Sequence, residues 1–117
     1  MNVGIGSADI AEVYATLEQT TIGFHSAQVS HVDAKEKLER RIAHALLAGE
    51  ISGKNEMERN AAARIAFDES YEELEELARN AREAELALKL AQLQQSRIWA
   101  LIRLLEVEVA HFRHELT

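Results

Sequence analysis

Proline and cysteine are both absent from this 117-residue chain, and aromatic residues make up only 5% of it. Without proline, the commonest interior stop of an α-helix is missing. Without cysteine there is no disulfide framework, no thiolate nucleophile and no Cys-ligated zinc. That composition is expected of a cytoplasmic protein. Basic residues are outnumbered 13 to 20, leaving a net charge of -7. Phosphate backbones are held by a basic face whose Lys and Arg displace counterions, so a broad duplex-binding surface is not expected. Long hydrophobic runs are lacking too. The most apolar stretch, Ile98 to Phe112, is broken by Arg103, Glu106 and Glu108, which argues against a membrane span. The opening residues, MNVGIGSADIAEVY, have neither the basic start nor the apolar core of a signal peptide.

What remains is rich in Ala, Leu, Glu and Arg, the mixture of long helices, in a length suited to one domain. The expected class is all-α. Steps of three and four from Phe67 land on Phe67, Ser70, Leu74, Leu77, Ala81, Ala84, Leu88, Ala91, Gln95, Ile98, Ile102, Leu105, Val109 and Phe112. Only Ser70 and Gln95 in that row are polar. An apolar row recurring every 3.5 residues winds helices around one another.

Taken in order, residues 1–6 carry Gly4 and Gly6 and read as a frayed start. Ser7 is placed to cap a first helix, with Asp9 favouring its dipole and Ile10, Val13, Tyr14 and Leu17 on one face. Thr20, Thr21, Ile22 and Gly23 then lower helix propensity. The stretch 20–30 is therefore a weak point, so that 7–48 is either one helix or two. DAKEKLERRIAHALLAG resumes an amphipathic helix on Leu38, Ile42, Ala45 and Leu46, helped by Asp33–Lys37 and Glu36–Arg40 pairs. Gly49 fits a left-handed helix stop, with Ile51 placed for its apolar contact. Residues 49–54 form a reversal loop, and Asn55 with Glu58 makes a capping-box-like restart. The last helix is expected from about 56 to about 115, roughly 90 Å at 1.5 Å per residue, with room for a bend at 67–70, where Asp68 and Ser70 can both serve as caps. Its first part is acidic on the outside, through Asp68, Glu69, Glu72, Glu75, Glu76 and Glu83.

Beyond Glu85 the character of this helix changes. Opposite the row of threes and fours lie Leu86, Leu90, Leu93, Ala100, Leu104 and Val107, interrupted by Arg97. A helix apolar on nearly all sides must be covered on nearly all sides. The partner segment 34–48 spans only about 22 Å and cannot cover both faces. The predicted architecture is a long antiparallel helical hairpin, coiled-coil-like, self-associating into a four-helix or larger bundle, most simply as a dimer. Expected interface residues are Leu74, Leu77, Ala81, Ala84, Leu88, Leu90, Ala91, Ile98, Trp99, Ile102, Leu104, Leu105, Val109 and Phe112. Trp99, with Arg103 one turn on, is suited to anchor it.

Chemistry-bearing patterns are sparse. Glu108 and His111 have the Glu-x-x-His spacing of di-iron carboxylate bundles, yet no second such pair occurs in the chain. Near the helix end, His111, Arg113 and His114 also complement the dipole. The remaining histidines, His25, His31 and His44, lack partners at ligand spacing. No serine sits in a nucleophile elbow, and Gly53-Lys54-Asn55 lacks the spacing of a phosphate-binding loop. Lys35, Lys37, Arg40, Arg41, Lys54, Arg59 and Arg64 gather around the reversal, diluted by Asp33, Glu36, Glu39, Glu56 and Glu58.

The run GEISGKNEMERNAAAR, followed by an acidic helix ending in RIWALIRLLE, resembles small uncharacterised proteins of phage, prophage and other mobile elements. The resemblance covers about the last two-thirds of the chain and implies no reaction and no cofactor. The expected role is a non-enzymatic interaction or assembly module acting as a homo-oligomer, with a second helical protein as a further partner. Its rivals are an accessory protein for the nucleic-acid transactions of a mobile element, and a metal-binding helical bundle on Glu108 and His111.

Overall fold

Heptad spacing and strong caps produce three helices in the computed structural model, which describes residues 5–116. They are α1 (Ser7–Leu47), α2 (Glu56–Ala66) and α3 (Asp68–Leu116), with no strand among the described residues. The chain is an all-α helical hairpin in which α1 and α3 pack against each other. It divides into two compact units, Met1–Gly23 with Ala84–Thr117, and Phe24–Glu83. Of the frayed start expected over 1–6, residues 1–4 lie outside the described residues. Gly6, rather than Ser7, takes the cap position. Its N–H donates to Asp9 Oδ2 at 2.8 Å, and its carbonyl receives the Asp9 N–H at 3.1 Å, so the acid at the third helical position satisfies the helix entry.

Through 20–30 the helix does not break. Thr20 Oγ1 donates to the Thr16 carbonyl at 2.8 Å and Thr21 Oγ1 to that of Leu17 at 2.7 Å, so both hydroxyls are satisfied inside the helix. A packed face outweighs the propensity loss of a few tenths of a kcal/mol per β-branched residue. Ile10, Val13, Leu17, Thr20, Phe24, Ala27, His31, Ala34 and Leu38 are all at least partly buried and recur in alternating threes and fours. Gly23 stands off this face, and a Cβ there would meet nothing within 4 Å. Gly23→Ala is therefore expected to stabilise the protein by about 0.5–1 kcal/mol, read as a higher midpoint in urea.

The stop of α1 is a Schellman motif. Gly49 adopts φ 75°, Glu50 N–H bonds the Ala45 carbonyl at 2.9 Å, and Gly49 N–H bonds that of Leu46 at 3.2 Å. Ile51 folds back onto Ala45 and Ala63, and Ile42, Leu46, Ala62 and Phe67 pack around these three. Asn55 Oδ1 accepts the Glu58 N–H at 2.9 Å, starting α2. Glu58 answers with Oε2, which accepts the N–H of Lys54 at 2.7 Å, one residue before the position a capping box uses. Gly53 lies against this turn so closely that a Cβ would sit 2.6 Å from Arg59 N and 2.8 Å from Glu58 Cβ. Backbone cannot yield as a flexible side chain can. Gly53→Ala is expected to cost about 1–3 kcal/mol, seen as a lowered thermal midpoint with helicity retained below it.

Helicity is interrupted at Phe67 (φ −116°, ψ 35°), between α2 and α3. The break leaves two helical bonds in place, Phe67 N–H to the Ala63 carbonyl at 2.9 Å and Tyr71 N–H to that of Phe67 at 3.0 Å. Side chains brace it from both sides. The Arg41 guanidinium lies 4.9 Å from the Phe67 ring centre and donates to Ser70 Oγ at 3.1 Å. The Arg64 guanidinium lies 4.8 Å from the Tyr71 ring and 2.8 Å from Glu75 Oε1. That hydrogen bond holds the Glu75 carboxyl below its ordinary pKa. From Phe67 through α3 to Leu105 every member of the row is at least partly buried, while Val109 and Phe112 are exposed.

Candidate self-association surface

In the unit formed by Met1–Gly23 and Ala84–Thr117, α3 carries two apolar rows. The inner row, through Leu88, Ala91, Gln95, Ile98, Ile102 and Leu105, is at least partly buried within the chain, with Val13 and Ala91 the most buried residues of the unit. A second row, Leu86, Leu90, Leu93, Arg97, Ala100, Leu104 and Val107, repeats the same steps of four and three on the far side. Its five large apolar side chains are 41–65% exposed. Single exposed leucines are ordinary on a protein surface. A contiguous row of them on one helix is the mark of an interaction surface. Because this row also has a 3.5-residue period, it presents knobs and holes to a partner helix as the inner row does.

The expected interface residues thus fall into two sets. Leu74, Leu77 and Ala81 in the Phe24–Glu83 unit, and Ala84, Leu88, Ala91, Ile98, Ile102 and Leu105 in the other, are at least partly buried within the chain. Leu90, Trp99, Leu104, Val109 and Phe112 remain exposed. Trp99 donates its indole N–H to the Tyr14 hydroxyl at 3.1 Å, joining α3 to α1 on one flank of the inner row. Opposite that flank, beside Leu90, an open groove runs between α1 and α3. Val13, Thr16, Thr20, Ala87 and Ala91 line it, with Glu12 and Gln94. Its α1 members escape a reading of the sequence, because which residues of α1 meet α3 depends on the register of the hairpin. Leu86, Leu93 and Val107 complete the outer row and are visible in the sequence as a leucine-rich period.

Other candidate chemistry lies elsewhere. His111 Nε2 contacts Glu115 Oε1 at 3.1 Å, one turn forward, rather than reaching back to Glu108. Among the described residues no group of three or more His, Asp or Glu side chains is arranged to hold a metal ion. Around the reversal, Lys37, Arg40, Arg41 and His44 border one shallow hollow with Glu50 and Phe67. Arg41 is engaged there by Phe67 and Ser70, as Arg64 is nearby by Tyr71 and Glu75. No helix of the described residues is long and apolar enough to cross a membrane. No family model, curated protein or solved structure matches this chain.

Proposed function

We propose that this protein is a cytoplasmic, non-enzymatic assembly module that works as a homo-oligomer, a dimer at least, joined through the outer row of α3. The exposed run from Leu86 to Val107 carries this reading. Covering one leucine side chain fully contributes about 1.5–3 kcal/mol, and a two-fold interface counts each residue twice. Several half-exposed Leu and Val side chains on each copy are enough to offset the entropy of association. Two hairpins joined this way make a four-helix arrangement, in which each α3 has helices on both of its apolar sides. Sedimentation equilibrium of the full chain tests the reading. A dimer or larger species at micromolar concentration supports it, and a monomer mass sustained to millimolar concentration overturns it.

A further inference from the structure

Resting on that self-association, the charges of the same unit bear on how two copies lie. Within the outer row from Leu86 to Val107 the only charged residue is Arg97. The groove beside Leu90 also has a single charged residue, Glu12 on α1. Leu90 belongs to both, so row and groove form one continuous surface. Among the described residues neither Arg97 nor Glu12 has an ion-pair or hydrogen-bond partner in the chain.

We infer that the occupant of this surface is a second copy of the chain with its α3 antiparallel to the first, so that Arg97 of each copy pairs with the partner's Glu12. A cation carried into an apolar contact needs an acid beside it, since an unpaired charge there opposes association. A parallel pair in register stacks like positions on one another and sets Arg97 against its own copy. Antiparallel packing separates the two Arg97 side chains and carries each along the partner's row toward its groove, where Glu12 stands with Leu90, Ala91 and Gln94.

A charge swap tests the pairing. Dimer affinity is measured by sedimentation equilibrium at low salt for the full chain and three variants, Arg97→Glu, Glu12→Arg and the two combined. Each single reversal is expected to weaken the dimer about ten-fold or more, and the combined variant to return to within about three-fold of the original. Both positions are exposed, so helicity and melting should not move, and circular dichroism checks this. If the unaltered chain is itself a monomer, the self-association reading fails. If it associates but the single reversals are silent, or the combination is no better than the weaker single variant, this arrangement of the copies is wrong.

Discussion

Leu38→Asp is expected to unfold the protein at room temperature. Leu38 is 5% exposed and sits on the packed face of α1 between Ala34 and Ile42. Removing a buried leucine costs about 2–5 kcal/mol, and leaving a carboxylate in its place adds the desolvation of an unpaired charge. Domains of this size have about 5–15 kcal/mol in hand. Among its described residues only Val13, Leu38, Ala45, Ile51, Ala63 and Ala91 are buried, which places it toward the lower end. Leu88→Asp on the inner row of α3 is expected to do less, since Leu88 is only partly covered and its carboxylate can turn to water. The ellipticity at 222 nm and its urea dependence report both. A Leu38→Asp midpoint close to that of the original chain would mean that the row Ile10–Leu38 is not the core face of α1.

How much of this was legible in the sequence varies with the range of the interaction. The row from Phe67 to Leu105 follows from spacing alone, because a 3.5-residue repeat of Leu, Ile and Ala has few other meanings. Gly49 and Asn55 were equally readable, as a left-handed stop and a capping start are local chemistry. The stretch 20–30 was not. Thr20, Thr21, Ile22 and Gly23 argue locally for a break, and what overrides them is the burial of Leu17, Phe24 and Ala27 against a distant part of the chain. Two polar members, Thr20 and His31, hide that row from a count of apolar residues.

The break at Phe67 was expected over 67–70 on the strength of Asp68 and Ser70 as caps, and it occurs by other means. Asp68 begins α3, Ser70 accepts from Arg41, and Phe67 itself leaves helical geometry. Its ring packs on the Ala45–Ile51–Ala63 cluster, a tertiary demand with no local signature. The same holds for the candidate surface. Its outer row is a pattern in one segment of sequence, whereas the Glu12 side of the groove and the Tyr14–Trp99 bond join residues more than 70 positions apart.

Leu93→Asp and Leu90→Asp are expected to leave the helical hairpin intact and abolish its self-association. Leu93 is 65% exposed and Leu90 58% exposed in the single chain, so either carboxylate stays in water until a partner arrives. A substitution of that kind changes folding stability by about 0.5 kcal/mol or less. Association is another matter. The two-fold axis brings in two carboxylates per dimer, each facing apolar side chains of the other copy, and each one loses its leucine contact as well. At about 2–3 kcal/mol for each copy, the dissociation constant rises by on the order of a thousand-fold or more. Circular dichroism and sedimentation equilibrium on one preparation separate the two effects: full helicity with monomer mass is the expected pair of results. Loss of helicity together with loss of mass would show instead that α1 and α3 hold their geometry only inside the assembly, so that the outer row belongs to an obligate core rather than to a contact between finished hairpins. Unchanged mass in both variants would place the contact between copies elsewhere and leave Leu86 to Val107 without a role.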